Sequence, residues 1–313
     1  MQKTALIFPG QGSQSLGMMA GFDSADGIAR DTFAEASAVL GYDLWALVQE
    51  GPEERLNQTE ITQPALLAAS VATWRNWQAA GGGEPAFMAG HSLGEYSALV
   101  AAGVLAFADA VGVVAERGRQ MQAATPAGAG SMAAILGLDD AVLEEVCEQA
   151  AQGQIVSCAN YNSPGQVVIA GDREAVERAC ELATTAGARR AVLLAVSVPS
   201  HCALMKPAAE AMQTVLADVE FGEGRCPVLH NVDVQVHAAA DDKRAALVRQ
   251  LWQPVRWSAS IEYLVAQGIG RFVECGPGKV LSGLNRRICR DATSIALDSR
   301  ERVDEVVAEE TAG

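Results

Sequence analysis

At 313 residues, half of them hydrophobic, the chain can bury a large core, as one domain with an insertion or as two domains. Its net charge of −15 argues against a nucleic-acid partner, and no apolar run approaches the length that spans a bilayer. Seven cysteines without paired spacing fit a reducing cytoplasm and speak against a disulfide framework or a zinc site.

Met1-Gln2-Lys3-Thr4 runs directly into a strand-like Ala5–Phe8, without signal-peptide architecture, and a glycine-rich loop, Pro9-Gly10-Gln11-Gly12-Ser13-Gln14, follows. Apolar periodicity predicts helices over Ala25–Leu40 and Thr62–Ala79. A short strand then leads into Gly90-His91-Ser92-Leu93-Gly94-Glu95, with helices expected over Leu93–Ala102 and Phe107–Ala123. Thr125-Pro126-Ala127-Gly128-Ala129-Gly130 is the clearest linker.

Beyond the linker the rhythm changes. Strands are predicted at Met132–Leu136, Ile155–Ala159, Gln166–Ala170 and Ala191–Val196, with helices at Asp139–Ala151 and Arg173–Ala186 and a turn at Asn162-Ser163-Pro164-Gly165. That β-α-β-β-α-β order is ferredoxin-like. The earlier pattern resumes with a helix at Ala203–Ala217, a strand at Arg271–Glu274 and a helix at Lys279–Arg287. Glu301–Gly313 reads as a loose acidic tail. The expected fold is α/β: a hydrolase-like large domain with a parallel sheet (residues 1–127 and 198–313), interrupted by a ferredoxin-like α+β subdomain (128–197).

Strand, sharp turn and helix with a serine at the apex is the arrangement that makes a hydroxyl nucleophilic. The turn exposes Ser92, the helix N-terminus offers N–H groups to an oxyanion, and the flanking glycines relieve crowding. A nucleophile needs a base, and there are four histidines. His91 adjoins Ser92 and points elsewhere; His230 and His237 read equally as strand or surface residues. His201 stands where the insertion returns to its host, a natural cleft edge, and is the expected base; the alternative is a capping or packing histidine. No Asp or Glu offers itself as a third triad member, so a carbonyl or amide would have to orient the imidazole.

One charge is badly placed for an ordinary surface helix. Arg117 lies at the centre of the stripe Ala110, Val113, Val114, Met121 and Ala124, whereas Arg119 points to the opposite side. A guanidinium there needs a partner. The helical wheel leaves two readings open: an ion pair with an acid such as Glu35 or Glu60, or a bidentate clamp for a substrate carboxylate.

Five motifs in order resemble the malonyl-CoA:acyl carrier protein transacylases of fatty acid synthesis. They are Pro9–Gln14, Gly90–Glu95, Arg117-Gly118-Arg119-Gln120-Met121, Pro199-Ser200-His201 and Glu274-Cys275-Gly276-Pro277-Gly278, and the likeness runs from residue 3 to about 298. It implies a ping-pong transfer with no permanently bound cofactor and no metal, in a cytoplasmic monomer whose substrate is malonyl-CoA and whose partner is acyl carrier protein with its phosphopantetheine thiol. By the same resemblance, Gln11 and Leu93 supply oxyanion-hole amides, Arg117 takes the malonyl carboxylate, and the Gln250 carbonyl orients His201. Gln63, Met121, Asn162 and Val198 would line the pocket. A serine esterase or thioesterase would need only elbow and histidine, leaving Arg117 and the insertion without a role; a non-catalytic scaffold is disfavoured because several catalytic features coincide. Relatives serving a malonate decarboxylase or polyketide synthesis are closer rivals, and Val198-Pro199-Ser200-His201 favours the fatty acid version. An acidic carrier approaching an acidic protein needs a local basic patch, for which Arg189-Arg190 and Arg286-Arg287 are the candidates; the second pair could equally complement a helix dipole.

Overall fold

A computed structural model describes residues 2–23, 26–195 and 198–312. The expected helix start at Ala25, the strand end at Val196, the subdomain boundary at 197 and the terminal Gly313 lie outside the described residues.

The chain begins with β1 (Lys3–Phe8), followed by helices α1 (Ile28–Leu40), α2 (Leu44–Glu50), α3 (Glu53–Leu56) and α4 (Thr59–Ala79). Next come β2 (Phe87–Gly90), α5 (Gly94–Ala101) and α6 (Phe107–Ala123). A second group comprises β3 (Gly130–Leu136), α7 (Asp140–Ala151), β4 (Val156–Ser163), β5 (Gln166–Asp172), α8 (Arg173–Thr185) and β6 (Arg190–Leu193). The chain continues through α9 (Lys206–Ala217), β7 (Val228–His230), β8 (Gln235–Val236), α10 (Ala240–Gln250) and α11 (Trp257–Ala266). It closes with β9 (Ile269–Cys275), α12 (Val280–Ile288), β10 (Thr293–Leu297) and α13 (Arg300–Ala312).

The larger sheet has the order β10-β9-β1-β2-β7-β8, parallel except for the β8 edge. Central β1 ends in the run Ala5-Leu6-Ile7-Phe8, buried on both faces, as a parallel strand between helical layers must be. Helix α4 shows no polar stripe because it is wrapped by α1, α5, α6 and α13; Leu66, Leu67, Ala68 and Ala69 are all fully buried.

The smaller sheet runs β4-β5-β3-β6, all antiparallel, the ferredoxin-like order. One face carries Ala133, Ile135, Val167 and Ile169 against α7 and α8. The other carries Met132, Ala159, Val168 and Ala170 and meets Cys202 of the returning chain. A short backbone ladder joins the two parts: Tyr161 N donates to Val255 O and Val255 N to Ala159 O, both at 2.9 Å.

Two expectations are corrected. The strand expected to stop at Ala159 continues to Ser163, and only Pro164-Gly165 makes the turn. Asn162, placed in that turn, is a strand residue and lines a cavity together with its strand neighbour Asn160. The expected loose tail is helix α13, with Val303 and Val306 fully buried and an Arg271–Glu310 ion pair at 2.6 Å. Its high charge hid an i, i+3, i+4 stripe of Val303, Val306 and Val307.

Candidate active site

The β2–α5 connection is tight enough to dictate its own residues. A Cβ at Gly90 would lie 1.9 Å from the Gly94 carbonyl carbon, and one at Gly94 would lie 2.1 Å from Phe8 O. Both places demand glycine. Between them Ser92 takes φ 52°, a left-handed conformation that serine rarely holds without support. Asn231 supplies that support by clamping both arms of the elbow. Its Oδ1 accepts from Ser92 N at 2.7 Å and its Nδ2 donates to Gly90 O at 2.6 Å.

Of the four histidines, His201 is the one that reaches Ser92, its Nε2 lying 2.7 Å from Oγ. Its Nδ1 lies 2.7 Å from the Gln250 carbonyl, which can only accept, so the proton sits on Nδ1 and Nε2 offers a lone pair. Burial, reinforced by the nearby Arg117 charge, pushes the His201 pKa down to about 3, against an opposing pull from the Gln250 hydrogen bond. The imidazole is therefore neutral at physiological pH. His91 Nε2 faces Asn162 Oδ1 at 2.8 Å, His230 is buried against Glu95, and His237 pairs with Asp233.

Arg117, only 1% exposed, ends beside the same hydroxyl. Its Nη1 donates to Gln63 Oε1 at 2.9 Å and its Nη2 to Gln250 Oε1 at 3.0 Å, with Nη2 3.5 Å from Ser92 Oγ. Burial lowers its pKa, opposed by Tyr96 and Glu95. The ion pair envisaged with Glu35 or Glu60 does not form; Glu35 pairs with Arg75. A guanidinium has five N–H groups, so Nη1 keeps one for an incoming acid, and the second on Nη2, held only by the long contact to Ser92 Oγ, can turn to the same acid. Gln63 is fully buried and donates to Met121 Sδ at 3.4 Å, which holds its oxygen toward Arg117.

These groups open onto a cavity of about 440 Å³. Gln11 after β1, Ser92 on the elbow and Arg117 of α6 line one side, Met132, Asn162 and Val168 of the smaller sheet the other, with Val198 and His201 at the returning chain. Gln11 and Leu93 line it, and among the described residues neither backbone N–H has a hydrogen-bond acceptor. Such a site can form and release an acyl-serine, with donors waiting for an oxyanion and a cation for an acidic acyl group.

The acyl transferase domain family matches residues 5–303. The malonyl CoA-acyl carrier protein transacylase of Escherichia coli (strain K12) is 59% identical over 298 residues, covering 95% of this chain and 96% of that protein. The chain belongs to the malonyl-CoA:acyl carrier protein transacylase family. A transacylase of that name from Coxiella burnetii superposes with a TM-score of 0.97 at 51% identity, over 98% of this chain and 97% of that one. A malonyl-transacylase solved in complex with its type II PKS acyl-carrier protein gives a TM-score of 0.97 at 56% identity, over 98% of this chain and 99% of that one.

The basic pairs expected at a transacylase's carrier surface are all exposed. Arg286 and Arg287 end α12, whose Leu281 and Leu284 line the cavity, and Arg287 Nη1 donates to Gln166 Oε1 at the cavity edge. Arg190 begins β6 and shares a cross-strand row with Leu136 and Gln166; Arg189 lies just outside the strand, its side chain against Gly137. Two residues at this site carried no role in the sequence reading. Asn231 left no signal, since an asparagine after a strand is ordinary. Glu95 was visible as an acid three residues past Ser92, on a helix that otherwise carries no charge.

Proposed function

We propose that this protein transfers malonyl from malonyl-CoA to the phosphopantetheine thiol of acyl carrier protein, supplying fatty acid synthesis. Ser92 Oγ attacks the thioester carbonyl while His201 Nε2 takes its proton, and the amides of Gln11 and Leu93 hold the resulting oxyanion. Collapse breaks the C–S bond, and the departing thiolate takes the proton back from His201. A low-pKa imidazolium is a strong acid, which suits that return. In the second half the carrier thiol gives its proton to His201 and attacks malonyl-Ser92, and the serine oxygen leaves with that proton. The Gln250 carbonyl serves where other triads place a carboxylate.

The observation that carries this reading is Arg117 Nη2 at 3.5 Å from Ser92 Oγ, buried without a carboxylate of the protein upon it. The malonyl carboxyl carbon is three bonds from Oγ, so it can fold back onto this guanidinium, whereas acetyl ends at its methyl. Gln63 steers Arg117, and Met121, Asn162 and Val198 shape the acyl pocket. Intact mass after mixing with malonyl-CoA or with acetyl-CoA tests the reading: a malonyl increment should dominate. We further infer a cytoplasmic monomer divided into residues 1–127 with 198–313 and an inserted 128–197. The seven unpaired cysteines, and the lack among the described residues of a helix long and apolar enough to cross a membrane, support the location.

Two outcomes follow. Because the His201 pKa lies near 3 rather than 6.5, its basic form persists as pH falls from 7.5 to 5. Quenched-flow labelling of Ser92 should therefore fall less than about threefold over that range, with no inflection near 6.5. An inflection there would show a freely titrating base. Carrier docking rests on the two arginine pairs flanking the cavity. Reversing Arg189, Arg190, Arg286 and Arg287 to glutamate should weaken apparent carrier affinity and flatten its ionic-strength dependence, largely sparing the step with malonyl-CoA. Unchanged carrier kinetics in the quadruple variant would remove these residues from the docking surface.

A further inference from the structure

Nucleophile and guanidinium share a buried polar network centred on Glu95, fully buried in the first turn of α5. Its Oε1 accepts from His230 Nδ1 at 2.7 Å, and its Oε2 accepts from Asn231 N and Gln250 Nε2, each at 2.9 Å. Gln250, also fully buried, sends the same Nε2 to Ser92 O at 3.1 Å and turns Oε1 toward Arg117. A carboxylate only accepts hydrogen bonds, so it holds the Gln250 amide with nitrogen inward and oxygen toward the guanidinium. Were that amide reversed, its NH₂ would face Arg117 donor to donor.

The arrangement also addresses a charge problem. A carboxylate directly on Arg117 would occupy the N–H groups that a substrate acid needs, while a buried guanidinium with no counter-charge is costly. Glu95 stands one amide away. It supplies opposite charge without touching the fork; Gln63 and Gln250, the Arg117 partners, are neutral.

We propose that Glu95 is a positioning residue for acyl-group selection, acting through Gln250 to aim Arg117 and to balance its charge. The proposal rests on Arg117 as the malonyl clamp. An acid that merely braced the elbow by way of His230 and Asn231 would, on removal, slow every acyl group alike.

The test compares Glu95→Gln with Arg117→Ala, using malonyl-CoA and acetyl-CoA as donors. Glu95→Gln should lower kcat/KM for malonyl about 30-fold, largely through KM, and for acetyl less than about threefold. Gln250→Met keeps the backbone carbonyl on His201 but removes the amide, and should lose selectivity in the same direction. That variant carries the test if Glu95→Gln does not fold. Equal losses toward both donors, or no loss, would overturn the role of Glu95. If Arg117→Ala itself left the malonyl-to-acetyl ratio unchanged, the clamp reading would fail instead, so the two failures are distinguishable.

Discussion

Ser92→Ala is expected to eliminate the malonyl adduct and to lower the transfer rate by at least about 10⁴-fold, since the remaining oxyanion donors and binding contacts cannot replace a covalent route. The elbow is shaped by its glycines and by Asn231, so alanine should sit there with little disturbance; thermal unfolding should change by no more than a few degrees. Quenched digestion and peptide mapping provide the check. Label on another serine, or none on wild-type protein, would sink the mechanism.

The second large effect is a divergence between substrates. Arg117→Ala should reduce kcat/KM for malonyl by on the order of 10²–10³-fold, the cost of truncating one partner of a buried charge pair. Acetyl transfer should persist or rise, because acetyl leaves a wild-type guanidinium desolvated and unanswered. Paired kinetics with the two CoA esters decide it. An equal fall toward both would make Arg117 a structural residue.

Ser92 was legible in the sequence because its chemistry is local: strand, glycines, serine and helix lie within a dozen residues. Arg117 was legible as an anomaly, a charge centred on an apolar stripe, although the wheel could not name its partners. The groups that complete the site answer one another across long separations and through atoms that leave no signature. The acceptor at His201 Nδ1 is a main-chain carbonyl 49 residues away, something every residue type provides, so Gln250 entered only by resemblance. Asn231 meets Ser92 across 139 residues. Glu95 lay in plain view within a motif, yet its partners at 230, 231 and 250 are brought to it only by the parallel sheet and α10. The C-terminal helix failed to register for the opposite reason: abundant acids and arginines masked three valines at helical spacing.

The cleft also divides labour between two separate sheets. The part built on the larger sheet furnishes Ser92, His201 and Arg117, to which the proposed chemistry falls; the smaller sheet furnishes Met132 and Val168 on the same cavity, residues to which it assigns no reacting atom. A lineage could therefore remodel the smaller sheet's share of the lining to admit a bulkier or differently branched acyl group while the other side stayed untouched. Diversification of substrate in this architecture need not put its catalytic inheritance at risk.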